Sequence, residues 1–155
     1  MEAILNPFGR IGPVTFRNTA IILIAIGACF SLLPLIRPEL AALSFASLVL
    51  IYPWIVIWVR RFHDAGKSGK LFLVVLVVYL ITVLAVNRFI VARFIPAQPP
   101  IDPHFVWASM VAQMRANALP GTIASVIISL AFALVVNEEL KSDPAENAYG
   151  PQPTR

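Results

Sequence analysis

Four long runs of residues in this chain contain no Asp, Glu, Lys or Arg, and they constrain the fold more than any other feature. They cover residues 19–36, 40–59, 71–86 and 118–136. A helix of about 20 residues crosses the roughly 30 Å hydrocarbon layer of a bilayer. Backbone groups inside that layer have no water to bond, so each run must be helical. The sequence therefore predicts one all-α membrane domain over residues 1–155, with four transmembrane helices.

The third run is short, and we extend it through Asn87 and Arg88 to about residue 95, with the arginine side chains reaching the headgroups. The predicted spans are then about 19–36, 40–59, 71–95 and 118–136.

A Pro-rich linker and a second helical pattern separate the third and fourth spans. Asp102 is expected to cap a helix and Pro103 to begin it. Apolar residues recur at helical spacing from Phe105 to Met114 among polar ones, which indicates a short interfacial amphipathic helix over about 103–116. A partly ordered loop packed on the bundle is the alternative. Residues 137–155 are polar and rich in proline, and they predict an extended tail.

Composition supports a membrane protein and argues against nucleic acid as a partner. Charged residues make up 13% of the chain, about half the usual share in soluble domains. The net charge of +4 comes from basic residues at the ends of apolar runs, which is their place in membrane proteins. The single cysteine, Cys29, predicts neither a disulfide nor a cysteine-based metal site.

The distribution of basic residues predicts the orientation in the membrane. With four spans, the N-terminal segment, the middle loop and the tail share one side and hold eight Lys and Arg, against four on the other side. The side richer in Lys and Arg is usually cytoplasmic, so both termini are expected in the cytoplasm.

The most charged segment is WVRRFHDAGKSGK, residues 58–70, at the end of the second span. One further helical turn after Val59 places Arg60, His63 and Asp64 on one face, which predicts an Arg60–Asp64 pair. Gly66 is expected to end the helix. The simplest interpretation is a basic anchor at the membrane boundary.

Other kinds of site fit this loop less well, except one for anions. His63 and Asp64 lack further metal ligands nearby, because His104 is predicted on the opposite side of the membrane. No nucleophile with a known signature accompanies His63, so neither catalysis nor a cofactor is predicted. Basic groups at a glycine turn suit anionic lipid headgroups or an acidic partner, and the candidates are Arg60, Arg61, His63, Asp64, Lys67, Ser68 and Lys70.

Three short motifs carry a family resemblance. RRFHDAGKSG (60–69) resembles the Arg-Arg-x-His-Asp-x-Gly-x-Ser-Gly signature of the YhaH-like bacterial inner-membrane proteins, a family of unknown function. FGRIGPVTFR (8–17) and NAYGPQP (147–153) are similar to its amino- and carboxy-terminal motifs, although Pro13 and Arg17 depart from the first. The resemblance implies a small multi-pass protein of the bacterial inner membrane and supplies no activity.

The resemblance also implies that Asn147, Tyr149 and Gly150 belong with the charged loop. The tail is acidic and the loop is basic, and the two emerge on the same side of the membrane. We therefore expect the tail to fold back, with Asn147 and Tyr149 bonding near Arg61, His63 or Asp64. A solvated, disordered tail is the alternative.

The sequence favours a non-enzymatic membrane module whose basic loop binds anionic headgroups or a partner protein. The alternative is a small transporter or channel subunit, which could work as a homo-oligomer. Transport pathways normally carry ionisable side chains within the membrane, and the four uncharged runs hold no Asp, Glu, Lys or Arg.

Overall fold

A computed structural model describes residues 6–94 and 102–153, apart from the side chains of Val91 and Phe94. The end of the predicted third span at residue 95 and the Pro-rich residues 96–101 lie outside this part of the chain. Within it, the regular elements are helices: α1 (Pro13–Ile36), a 3₁₀ segment (Pro38–Leu50), α2 (Ile51–Asp64), a 3₁₀ turn (Gly69–Leu71), α3 (Phe72–Phe94) and α4 (Val106–Glu139).

Four stretches of helix are long and apolar enough to cross a membrane, which confirms the predicted fold class. They are Pro13–Ile36, Pro38–Asp64, Gly69–Ile90 and Val106–Glu139, and the second joins the 3₁₀ segment to α2. Only 11–22% of the most apolar window of each stretch is buried in the protein. Most of their apolar surface therefore faces outward, as expected for helices surrounded by lipid.

The four passes run antiparallel, so that the start of α1, the end of α2 and the end of α4 meet at one end of the bundle. We call this the motif end. The main buried cluster lies there, where Trp58 contacts the ring of Phe16 edge-on at 4.8 Å between centroids and stacks near Phe72 at 6.5 Å. Such aromatic pairs add about 0.5–1.5 kcal/mol to the burial of their surface. The motif end thus holds the main buried cluster of residues 6–94 and 102–153.

A proline in α1 shows how the bundle satisfies a backbone group that the helix leaves unpaired. Pro34 has no N–H, so the carbonyl of Phe30 loses its usual partner four residues later. The hydroxyl of Ser44, in the 3₁₀ segment, donates to that carbonyl at 2.9 Å. Hydroxyl side chains replace lost backbone bonds in this way within membranes, where water is absent.

The segment predicted as a separate interfacial helix is continuous with the fourth span. It is helical from Val106 onward, and α4 passes through Pro120 without a break. Asp102 instead accepts from the backbone N–H of His104 at 2.8 Å, in a turn before the helix begins. Pro120 does not end the helix, because a proline within a helix removes only one backbone hydrogen bond. At 34 residues and about 1.5 Å per residue, α4 is about 51 Å long and exceeds the hydrocarbon layer. The helix α4 also continues to Glu139, so the tail begins at Leu140 and not at residue 137 as predicted.

The bond from Ser44 to Phe30 predicts a specific coupling between Ser44 and Pro34. Ser44→Ala should lower stability by about 1–3 kcal/mol, because it leaves the carbonyl of Phe30 without a donor in an apolar region. In the Pro34→Ala background the helix supplies its own N–H, and Ser44→Ala should then cost much less. Detergent melting of the four proteins measures this coupling; equal effects of Ser44→Ala in both backgrounds would contradict it.

Candidate functional site

The charged loop begins where α2 ends, and two glycines shape it. Gly66 has φ of 68°, a conformation that favours glycine. The N–H of Lys67 bonds the carbonyl of Phe62 at 2.9 Å, and the N–H of Gly66 bonds that of His63 at 3.0 Å. This pair of bonds is the Schellman arrangement that ends helices at a glycine. A Cβ at Gly69 would lie 2.7 Å from Cγ1 of Val59, so only glycine lets the loop pass this close to α2.

Asp64, the last residue of α2, is fully buried and has two arginine partners. Arg61 Nη1 lies 2.7 Å from one carboxylate oxygen and Arg10 Nε lies 3.2 Å from the other. The hydroxyl of Ser142 donates to the same oxygen as Arg61, at 2.5 Å. We call Asp64, Arg10, Arg61 and Ser142 the Arg–Asp network, together with the residues that accept hydrogen bonds from the two arginines, which are Asn137, Leu140, Asp143, Ala145 and Gly150.

The predicted Arg60–Asp64 pair is wrong, because the burial of α2 selects the other arginine. Arg61 is 1% exposed and faces the interior with Asp64, three residues further along the helix. Arg60 is half-buried, and its Nη2 donates to the carbonyl of Arg10 at 3.0 Å. Spacings of three and four residues both place side chains together on a helix, so spacing alone could not decide between the two pairs.

Arg61 uses all of its hydrogen-bond donors inside the protein. A guanidinium has five N–H groups. Nη1 bonds Asp64 and Ser142, Nε bonds Oδ1 of Asn137 at 2.6 Å, and Nη2 bonds the carbonyls of Asn137, at 3.0 Å, and Leu140. The last two acceptors lie at the C-terminus of α4, where carbonyls have no partner within the helix and the helix dipole attracts a cation. Arg61 therefore joins α2 to α4.

Arg10 holds the tail in the same way. Nε bonds the carboxylate of Asp64 and Nη2 bonds its backbone carbonyl at 3.4 Å, as well as the carbonyl of Asp143. Nη1 bonds the carbonyls of Ala145, at 2.6 Å, and Gly150, at 3.4 Å. Arg10 is 5% exposed, and its five N–H groups are likewise all engaged. It therefore connects the segment before α1 to α2 and to the tail.

The tail folds back onto the charged loop, as predicted. The ring of Tyr149 stacks on that of His63, with centroids 3.8 Å apart and planes 3° from parallel. Asn147 donates from Nδ2 to the carbonyl of His63 at 3.1 Å, and its backbone bonds that of Gly150 in both directions across a turn. Nδ1 of His63 lies 3.2 Å from the carbonyl of Gly9. A carbonyl only accepts, so this nitrogen carries a proton.

The expected attraction between the acidic tail and the basic loop accounts for only part of this docking, since Glu138 attracts Arg61 electrostatically. Between residues 6–94 and 102–153, both ion pairs that the structure records join an arginine to Asp64. The tail is held mainly through its backbone: the N–H of Asp143 donates to the carbonyl of Asp64 at 2.8 Å, and tail carbonyls accept from Arg10. Hydrogen bonds to the backbone therefore hold most of the tail, in addition to the attraction between Glu138 and Arg61.

The anion-binding candidates fall into two groups. Arg61 and Asp64 are buried in the network, and His63 and Arg60 are half-buried beside it. Lys67, Ser68 and Lys70 are exposed on the turn, where the hydroxyl of Ser68 accepts from the N–H of Lys70 at 3.4 Å. The second group is therefore the more open to an outside ligand. In the part of the chain that the structure describes, no three His, Cys, Asp or Glu side chains are grouped to hold a metal ion.

Three residues of the network were not predicted from the sequence. Arg10 was counted only as a basic residue and as part of a motif, and Asn137 and Ser142 were placed in the tail. The sequence does contain a signal for Asn137, because it is a polar residue that directly follows the apolar run 118–136. A polar side chain in that position must bond either to water or to another part of the protein. The side chain of Asn137 is 3% exposed and also donates to the carbonyl of Pro13 at 3.3 Å.

Comparison with known proteins gives one match. A family model described as "Protein of unknown function (DUF805)" matches residues 9–151. No curated protein and no solved structure matches the chain. The matched residues begin at Gly9 and end at Pro151, and they include all residues of the Arg–Asp network.

The network predicts which arginines the fold needs. Arg61→Ala and Arg10→Ala should each destabilise the protein by about 3–5 kcal/mol, because each leaves Asp64 buried with an incomplete set of partners. Arg17→Ala, which removes an exposed arginine from α1, should cost under about 1 kcal/mol. Detergent melting of the purified variants checks this order; equal effects at all three positions would contradict a structural network.

The docked tail predicts a disulfide that no flexible tail would form efficiently. A Cβ built at Gly12 lies 3.9 Å from Cβ of Pro153, within the range of about 3.5–4.5 Å that disulfides need. In a Cys29→Ala background, the pair Gly12→Cys and Pro153→Cys should cross-link rapidly in membranes. The control pair Gly121→Cys and Pro153→Cys should not, and adding Tyr149→Ala should slow the first pair. A gel of the oxidised proteins reads the result, and equal cross-linking of both pairs would refute docking.

Proposed function

Because the chain belongs to the DUF805 family, whose function is unknown, we propose its function from the geometry of the motif end. The protein is an integral membrane module that is held together by the Arg–Asp network and that presents Lys67 and Lys70 to anionic lipid headgroups. One observation carries this proposal: the loop arginine beside Asp64 has no donor left for an outside ligand, whereas both lysines of the turn are exposed.

The strength of this binding follows from the kind of residue that is exposed. A lysine ammonium is a flexible point charge, without the planar fork by which arginine holds a phosphate in two places. Each basic group near an anionic membrane surface contributes about 1 kcal/mol, so the two lysines together supply about 2 kcal/mol, or roughly 30-fold enrichment. The loop is therefore proposed to enrich anionic lipids rather than to capture one lipid tightly.

The location in the cell is part of the same proposal. The contacts of both terminal segments with α2 bring them to the motif end. The excess of Lys and Arg on that side supports a cytoplasmic position. The resemblance of the loop to the YhaH-like signature supports the bacterial inner membrane.

A small transporter or channel subunit is the second candidate, and cavities between the helices favour it. Their lining residues within the described chain are neutral, whereas coupled transport normally uses ionisable groups on the pathway. The lipid-binding module is therefore the better-supported proposal.

The lipid proposal predicts the effect of neutralising the turn. In nanodiscs of phosphatidylglycerol and phosphatidylcholine, Lys67→Gln with Lys70→Gln should reduce enrichment of phosphatidylglycerol around the protein by about 30-fold at low salt. Raising the salt should weaken enrichment around the unmutated protein, because exposed charges are screened. Mass spectrometry of the retained lipids measures both effects.

A matched control removes the same charge from the other end of the bundle. Arg88→Gln with Arg93→Gln replaces two exposed basic residues of α3 and should leave enrichment at the motif end unchanged. If neither salt nor the lysine substitutions changes lipid retention, headgroup binding is wrong. A protein that co-purifies through the lysines would then indicate a protein partner.

A further inference from the structure

The tail beyond Ser142 lies on the surface of the motif end. Every residue from 143 to 153 is exposed or half-buried, whereas Leu140, where the tail begins, is 5% exposed. Segments that bury little apolar surface open at a lower free energy than the core does. The residues from Asp143 onward are therefore released more easily than the helices are.

Arg10 divides its hydrogen bonds between Asp64 and this part of the tail. Its Nε bonds the carboxylate of Asp64, but the carbonyls of Asp143 and Ala145 accept from Nη2 and Nη1, the latter at 2.6 Å. Nη1 also bonds the carbonyl of Gly150 at 3.4 Å. We call Nη1 and Nη2 the fork of Arg10. Release of the tail takes these three acceptors from the fork, while the bond from Nε to Asp64 stays.

A phosphate group fits the fork in place of the tail carbonyls. The two Nη nitrogens of an arginine bind two oxygens of one phosphate side by side. Hydrogen bonds to a charged acceptor are about twice as strong as bonds to a neutral one. The docked tail therefore offers the fork weaker acceptors than a phosphate does.

The charge around the fork also favours an anion. Arg61 shares the carboxylate of Asp64 with Arg10, and Arg60 donates to the backbone carbonyl of Arg10 at 3.0 Å. Three arginines thus lie around this carboxylate. Opposite charges attract strongly where little water separates them. An anion at the fork therefore balances positive charge that the neutral carbonyls leave unbalanced.

The tail also removes a carboxylate from the site when it leaves. The carboxylate of Asp143 accepts from the N–H of Ala145 at 3.1 Å and from Nδ2 of Asn147 at 3.4 Å, both within the tail. Its Oδ2 lies 3.5 Å from the position of a Cβ built at Gly66, so Asp143 contacts the turn as well as the fork. Release of the tail therefore makes the turn at Lys67 more basic and opens the fork beside it.

We propose that the tail from Asp143 onward covers an anion site on Arg10, and that a phosphate group displaces the tail from this site. The phosphate belongs to a lipid headgroup or is free in solution, and the chemistry that binds it is the same. With the tail docked, the turn only enriches anionic lipids; with the tail displaced, Arg10 holds one phosphate through its fork. The lipid arm rests on the proposed function, because Lys67 and Lys70 bring the headgroup to the fork. The arm with free phosphate does not.

The disulfide pair Gly12→Cys and Pro153→Cys, in the Cys29→Ala background, reports whether the tail is docked. Oxidation with diamide should cross-link this pair about tenfold more slowly in nanodiscs of phosphatidylglycerol and phosphatidylcholine than in phosphatidylcholine alone. In phosphatidylcholine nanodiscs, inorganic phosphate should slow it relative to chloride at the same ionic strength, where screening is equal. Slowing by only one of the two supports the site and identifies its source of phosphate.

Two substitutions separate the fork from the turn. Arg10→Lys keeps the charge but removes the fork, and it should abolish the slowing by both lipid and phosphate. Lys67→Gln with Lys70→Gln should weaken the slowing by lipid and leave that by inorganic phosphate. Arg17→Lys, at an exposed arginine of α1, is the matched control and should change neither.

The locked tail gives a second measurement that needs no change at Arg10. The oxidised disulfide protein should retain less phosphatidylglycerol than the same protein after reduction, because the locked tail keeps the fork covered. Equal retention, equal cross-linking under all conditions, or slowing that persists in Arg10→Lys would each overturn the proposal. If the lysines still govern lipid enrichment in that case, the proposed function stands without the site on Arg10.

Discussion

Asp64 places a carboxylate at the end of a membrane helix, where an unpaired buried charge costs several kcal/mol. Two arginines from different parts of the chain compensate it, one from the same helix and one from the segment before α1. The packing at the motif end follows from this requirement, because Arg10 cannot reach Asp64 unless its segment lies along α2. The N–H of Ile11 also bonds the carbonyl of Arg60 at 3.3 Å, which holds the segment in that position.

Two arginines and one aspartate leave a net positive charge inside the protein, and backbone carbonyls accept its remaining hydrogen bonds. Some belong to the C-terminus of α4 and others to the tail. A helix C-terminus attracts cations through its dipole, so α4 contributes with its charge distribution as well as with its side chains. This explains why a polar tail rich in proline adopts a defined path: its carbonyls complete the coordination of Arg10.

Features of this chain with local determinants could be predicted from the sequence, and features with tertiary determinants could not. The four spans and the end of α2 just before Gly66 follow from hydropathy and from helix capping, which depend on neighbouring residues. The choice of Arg61 over Arg60 and the roles of Arg10 and Asn137 depend on which side of α2 is covered by other segments. The docking of the tail was predicted through a family motif, but the hydrogen bonds to its backbone were not, because they depend on where Arg10 lies in the folded protein.

The order in which the ribosome releases the chain gives the network a further consequence. Arg10 and Arg61 are synthesised before Leu140, Asp143 and Ala145, whose carbonyls accept their hydrogen bonds. Until those residues are made, the two arginines lack acceptors that the segment after α4 supplies. The coordination of the early charges is therefore completed only after the fourth span has been made.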